Sequence, residues 1–187
     1  KKSDLVGIGI IRPEIFKNYG HRLTKEQLFE FYRNLLRELS SRKVKFKLFT
    51  NGSRRDYRFG QEIQEFLATN EKLEVEIQPF PNKGTELVEF IASCQRIFSA
   101  RMHAAITSYS LGIPSVSLVW NDKQKRFAEI SGQPENLITI DKLTDPSSVE
   151  LILNSKAPKI SQEFKDTTYK FLEEQMLLNY RRKFPKS

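Results

Sequence analysis

Apolar residues run almost unbroken from Leu5 through Val6, Ile8 and Ile10 to Ile11, broken only by Gly7 and Gly9. So little polar alternation predicts a strand buried on both faces, as in a parallel sheet. The run stops at Arg12 and Pro13, and a polar loop is expected from there through Gly20 and His21. A helical pattern follows, with Leu28, Phe31, Leu35, Leu36 and Leu39 sharing one face. Thr24 precedes it and Gln27 lies three residues on, the spacing of a capping box. Residues 44–50 read as a second strand ended by Asn51 and Gly52. Residues 56–67 read as a helix with Ile63, Phe66 and Leu67 inward, and 73–77 as a third strand closed by Pro79, Phe80 and Pro81.

The alternation continues. A helix is predicted over 86–94, a strand over 96–100 and a compact helix over 104–111, closed by Gly112 with Pro114 beyond. A strand over 115–120, a helix over 123–131 ending at Gly132, a short strand over 137–140 and a short helix over 146–153 complete the pattern. After Pro158 a long helix is expected over about 161–183, with basic last turns at Arg181, Arg182 and Lys183. Strand alternating with helix implies one doubly wound, Rossmann-like α/β domain over residues 1–187, with a mostly parallel sheet and right-handed crossovers. No internal repeat or low-complexity tract is present.

Composition narrows the picture. A chain of 187 residues with 39% hydrophobic and 11% aromatic content is long enough to bury roughly 70% of its unfolded surface in a single core. No apolar run approaches the roughly 20 residues that span a bilayer, and no signal peptide is evident. The opening Lys1, Lys2, Ser3 and Asp4 lead directly into a strand, which reads as a fragment cut at a domain boundary. The lone Cys94 excludes an internal disulfide and reads as a small core residue rather than a nucleophile. One cysteine, two histidines and no carboxylate cluster give no metal-site spacing, so no metal is expected. The net charge of +8 is spread along the chain, with local clusters at Arg54 and Arg55 and at residues 181–183.

Candidate chemistry gathers at strand ends. Arg101, Met102 and His103 stand where the strand at 96–100 runs into the helix beginning Ala104, Ala105. In open α/β sheets ligands collect at the carboxyl ends of strands, where helix N-termini offer unpaired N–H groups. At such a turn Arg101 and His103 can both face the cleft while Met102 points into the core, an arrangement suited to an anion that must also exchange a proton. Lys123 follows Trp120, Asn121 and Asp122 at another strand end and suits a phosphate. Arg12 lies at the same sheet edge and would add positive potential. His21 falls in the polar loop and reads as solvent-exposed. Asn51, Gly52 and Ser53 match a glycosylation pattern that a β-turn explains fully. Gly7 and Gly9 lack the third glycine of a dinucleotide fingerprint.

The stretch from Ile91 to Lys123 resembles the C-terminal half of the polysaccharide pyruvyltransferase family. Its hallmark is an Arg-apolar-His triplet, a small-residue helix ending in Gly-apolar-Pro, a strand, and a lysine shortly after an aromatic. Here these are Arg101, Met102 and His103, then Gly112, Ile113 and Pro114, and Lys123 after Trp120. The likeness is weaker but collinear from Leu5 through the loop at 51–56 to the helix at Glu86. It implies the C-terminal, donor-binding half of a two-domain GT-B-type protein that moves a pyruvyl group from phosphoenolpyruvate to a sugar, forming a ketal and releasing phosphate. His103 then falls on the catalytic position, and Arg101, Lys123 and Arg12 on donor binding. Many members carry tyrosine where Trp120 stands, which leaves no phenolic hydroxyl there. No cofactor is implied. The partners implied are phosphoenolpyruvate, a saccharide acceptor and an N-terminal domain on which residues 159–187 would dock. No specific nucleic acid is implied. The setting implied is cytoplasmic assembly of cell-envelope exopolysaccharide, peripheral to the membrane where the acceptor is lipid-linked. The fragment alone is expected to be inactive.

Two other readings compete. One is the nucleotide-sugar-binding C-terminal domain of a GT-B glycosyltransferase; against it, no acidic residue is clearly placed after a strand to hold a ribose, Glu129 and Asp141 being the two that can be argued. The other is a non-catalytic α/β module binding nucleic acid or another anion through its charge, although no aromatic-basic interleaving supports it.

Overall fold

The computed structural model describes residues 4–143 and 145–159. Five strands, β1 (Leu5–Gly9), β2 (Lys45–Phe49), β3 (Arg96–Ser99), β4 (Ser115–Val119) and β5 (Leu137–Thr139), form one sheet in the order β2-β1-β3-β4-β5. Every neighbouring pair is parallel. Between and after them come α1 (Glu14–Asn18), α2 (Lys25–Ser41), α3 (Arg54–Glu71), α4 (Gly84–Ser93), α5 (Met102–Ser110), α6 (Asp122–Ile130) and α7 (Ser147–Asn154). The doubly wound α/β fold is present, with a sheet that is wholly parallel among the described residues.

Successive strand residues turn to opposite faces, so the sheet separates two apolar layers. Val6, Ile8, Leu48, Phe98, Val116 and Leu118 belong to the larger layer, which buried residues of α2, α3 and α7 complete. Phe49 and Ile97 belong to the smaller one, with Phe90, Ile91, Cys94, Ala104 and Ile113. In β1 this second layer is faced by Leu5 and by two glycines. A Cβ at Gly7 would lie 2.7 Å from Ile97 Cδ1, and one at Gly9 would lie 2.9 Å from the Phe98 carbonyl oxygen. Cys94 is buried in this layer, its Sγ donating to the Phe90 carbonyl at 3.3 Å, and burial pushes its thiol up to about 11.

The capping box on α2 is formed as its spacing predicts, with Thr24 Oγ1 accepting from Gln27 N and Gln27 Oε1 accepting from Thr24 N. Three expectations are corrected. The strand predicted over 73–77 is reduced to one bridge, Ile77 to Leu48, because its start is tied to α3 instead, Leu73 N donating to the Leu67 carbonyl at 3.1 Å and the Val75 carbonyl accepting from Gln64 Nε2 at 2.6 Å. Counting that bridge, the extended segments lie in the Rossmann order, third, second, first, then fourth to sixth. The loop predicted after Pro13 contains α1, with Pro13 at its N-cap and Glu14 in its first turn. Phe66 is 37% exposed, because Phe59, Ile63 and Leu67 form the buried stripe of α3 and Phe66 falls at its margin, edge-on to Phe29. The terminal helix predicted over 161–183, and its docking, lie outside the described residues.

Candidate functional site

The sheet order reverses between β1 and β3, and the crevice outside the carboxyl ends of such a pair is where open α/β sheets bind ligands. β1 leads into Arg12 and β3 into Arg101. A buried tyrosine fixes the exit of β1: the Tyr32 hydroxyl donates to the Gly9 carbonyl at 3.1 Å and accepts from Ile11 N at 3.2 Å. Burial raises the Tyr32 phenol well above its usual range, so it stays a neutral hydrogen-bonding group.

Between the two arginines lies Asp56, in the first turn of α3 and wholly buried. Its Oδ1 accepts from the Arg12 backbone N–H at 3.2 Å and from Arg12 Nη1 at 2.9 Å. Its Oδ2 accepts from Arg101 Nε at 2.9 Å and Nη2 at 2.5 Å. Ser53, the N-cap of α3, accepts from Asp56 N at 3.3 Å and from Arg12 Nη1 at 3.1 Å. The positive end of the α3 dipole also favours a carboxylate at this position. The side chains of Arg12 and Arg101 are 19% and 21% exposed, and the Glu14 carboxylate lies 3.7 Å from Arg12 Nε. Arg12 Nε is buried without a hydrogen-bond partner among the described residues.

Arg101 is the N-cap of α5, with extended backbone, and its carbonyl accepts from Ala104 N at 3.0 Å. The helix therefore starts earlier than the predicted Ala104, and His103 sits in its first turn with an exposed ring. Met102 is half-buried rather than pointing fully into the core, because it occupies the first helical position at the sheet edge. The Arg101 guanidinium lies 5.9 Å over the Trp120 ring. Trp120 is itself anchored, its Nε1 donating to the Ala100 carbonyl at 2.8 Å and its ring meeting Tyr19 edge-on at 4.9 Å.

The four predicted site residues therefore divide. Arg12 and Arg101 are brought together through Asp56. His103 lies beside Arg101 in sequence, exposed at the same edge. Lys123 lies in the first turn of α6, its backbone N–H donating to the Asn121 side chain at 2.8 Å and its own side chain exposed; it takes no part in the Asp56 network. His21 is corrected: it is half-buried, hydrogen-bonded to the Trp120 carbonyl at 2.8 Å. Asp56, Ser53 and Tyr32 were not singled out from sequence. The usable signal was a serine and an aspartate three apart, just past a strand end, placing a carboxylate in the first turn of a helix at the ligand edge. Among the described residues no cluster of three metal-ligating side chains occurs and no helix is long and apolar enough to cross a membrane.

The fold and this edge define an α/β domain of GT-B-like type. The described structure is similar to UDP-GlcNAc 2-epimerase from Methanocaldococcus jannaschii, with a TM-score of 0.53 and 17% identity over 92% of this chain and 46% of the epimerase. A second structure of that enzyme, in complex with UDP-GlcNAc and UDP, gives 0.52 and 16% identity over 91% and 45%. The chain thus spans about half the length of these structures. Residues 85–122 match the family model for polysaccharide pyruvyl transferase. That stretch contains Arg101, Met102, His103, Gly112, Pro114 and Trp120, so the resemblance read from the sequence holds there; Lys123 lies one residue beyond it. A comparison with curated sequences returns no match.

Proposed function

We propose that this chain forms the donor-binding part of a pyruvyltransferase that moves the pyruvyl group of phosphoenolpyruvate onto two hydroxyls of a sugar. The observation that carries this reading is the convergence of Arg12 and Arg101 at the switch point, with Arg101 inside the stretch that matches the family. Phosphoenolpyruvate presents a phosphate and a carboxylate, and a guanidinium binds either through paired N–H groups. In the net reaction both hydroxyl oxygens bond to the central carbon of the donor, and the bond from that carbon to the phosphate oxygen breaks. One hydroxyl proton ends on the former methylene carbon, and the other leaves with phosphate. His103, exposed beside Arg101, is the group suited to carry one of these protons. Fixed positive charge from the arginines, with Lys123 at the neighbouring strand end, would stabilise the departing phosphate.

The test is calorimetry of the full-length protein with phosphoenolpyruvate, alongside Arg101→Ala, and phosphate release in the presence of saccharide acceptors. Binding by the parent, weakened tenfold or more in the variant, is expected. Equal binding by both would remove the arginine pair from the donor site.

A second reading, a nucleotide-sugar site, is favoured by the similarity to an epimerase solved with UDP-GlcNAc and UDP. A cavity of about 300 Å³ beside the end of β2, lined by Phe49, Thr50, Gln78, Leu87 and Phe90 among others, offers room for a larger donor. The buried Thr50 hydroxyl has no hydrogen-bond partner among the described residues. Thermal stabilisation by UDP and not by phosphoenolpyruvate would favour this reading over the first.

A further inference from the structure

We infer that Asp56 is a positioning residue, a buried carboxylate that sets Arg12 and Arg101 as one preorganised clamp for an anionic donor. The inference rests on the reading of this edge as a phosphorylated-donor site. Its physical basis is the saturation of the carboxylate. Each oxygen accepts from both a side-chain N–H and a second N–H, at 2.5 to 3.2 Å, and the group has no exposed surface. An ionised carboxylate offers about four lone-pair sites, so Asp56 has none left for a ligand and is itself no part of the binding surface.

The arginines are in the opposite condition. Asp56 takes Nε and Nη2 of Arg101, which leaves Nη1 uncommitted among the described residues. It shares Nη1 of Arg12 with Ser53, which leaves Nη2 uncommitted, while the buried Nε makes no hydrogen bond among the described residues and faces the Glu14 carboxylate at 3.7 Å. Each guanidinium is thus held by Asp56, with Nη1 of Arg101 and Nη2 of Arg12 left to meet a ligand. Fixing both planes in advance removes the rotamer entropy that two long side chains would otherwise lose on binding. Charge favours the same arrangement. One buried carboxylate between two guanidiniums offsets their mutual repulsion and leaves these three residues with a net positive charge; Glu14, 3.7 Å from Arg12 Nε, is 70% exposed and its charge is screened by solvent. The three residues come from three separate strand exits, so the clamp forms only when β1, β2 and β3 are assembled.

The experiment measures anion affinity and unfolding temperature together for the full-length protein, using phosphoenolpyruvate, UDP and inorganic phosphate as probes. Asp56→Glu keeps the charge but moves the carboxylate by a methylene, and Asp56→Asn keeps the shape but removes the charge. Asp56→Glu is expected to bind at least tenfold more weakly than the parent with an unfolding temperature close to it, and Asp56→Asn more weakly still. Should both Asp56 variants fail to fold, Ser53→Ala decides. It releases one Arg12 contact and is expected to weaken anion binding severalfold in a folded protein. Undiminished affinity in a folded Asp56→Glu protein, or in Ser53→Ala where that variant decides, overturns the inference. Parent protein that takes UDP but not phosphoenolpyruvate overturns the pyruvyltransferase reading alone, and Asp56 is then judged on UDP. Parent protein that binds none of the three probes overturns both.

Discussion

His21 donates from Nε2 to the main-chain carbonyl of Trp120 at 2.8 Å, joining the loop after β1 to the end of β4. A carbonyl only accepts, so Nε2 carries a proton. The contact holds the segment carrying Tyr19 against the Trp120 ring. His21→Ala is expected to cost about 1 kcal/mol, the usual net value of one hydrogen bond. That corresponds to roughly 2–4 °C in unfolding temperature for a domain of this size. Calorimetry with amide exchange over residues 14–24 checks it; unchanged exchange in that loop would show that the contact does not hold it.

Arg12 and Arg101 share one carboxylate, so their removals should not add. Either arginine alone leaves Asp56 with one charged partner, whereas losing both leaves a bare buried charge, the costly case. Arg12→Ala and Arg101→Ala together are expected to destabilise by more than the sum of the singles, with a coupling of about 0.5–3 kcal/mol. Urea unfolding of the four proteins of the cycle measures it. Strict additivity would mean that the two pairings are independent.

The glycines of β1 should differ. Gly9→Ala drives a Cβ toward backbone atoms, the Phe98 carbonyl at 2.9 Å and Ala100 N at 3.1 Å, which cannot rotate away. A loss of about 1–3 kcal/mol is expected, as for overpacking elsewhere. Gly7→Ala meets chiefly the end of a side chain, Ile97 Cδ1 at 2.7 Å, so its loss should be smaller. Denaturant midpoints of the two variants decide the order, and the reverse order would show that the β1–β3 contact yields more easily than the Ile97 rotamer.

Cys94 sets a direction at alkaline pH. Burial raises its thiol from 9.0 to about 11, so between those values the unfolded chain gives up the proton while the native chain keeps it. Stability that is intact below pH 9 should therefore fall as pH rises toward 11, by about 2–3 kcal/mol from this group. Cys94→Ala is expected to lessen that part of the decline. An identical alkaline slope in the variant would assign the loss to other groups, Tyr32 foremost.

What the sequence made legible was set by the range of the interactions. Thr24 and Gln27 lie within one helical turn, and their capping box was readable because everything it needs is local. The unbroken run at β1 and the stripe on α2 were readable because burial imposes a period. The Asp56 network has no period: its members come from three strand exits, and nothing local to Asp56 names Arg12 or Arg101 as its partners. Arg101 and Arg12 could be placed at the ligand edge, but the carboxylate between them could not. The segment 73–77 misled for the opposite reason. Its residues alternate like a strand, yet its start hydrogen-bonds to α3 and only Ile77 pairs with β2. For His21, a polar loop composition hid a contact with a carbonyl on a distant strand.

Trp120 is the chain's single tryptophan, and it lies at the meeting point of the Arg101 guanidinium, the Tyr19 ring and the His21 hydrogen bond. The molecule therefore carries its own optical reporter at the candidate site. Its emission comes from one indole and needs no label or unmixing. Any rearrangement of Arg101 over that ring changes the field felt by the chromophore, so a simple titration followed by fluorescence reads occupancy where it matters chemically.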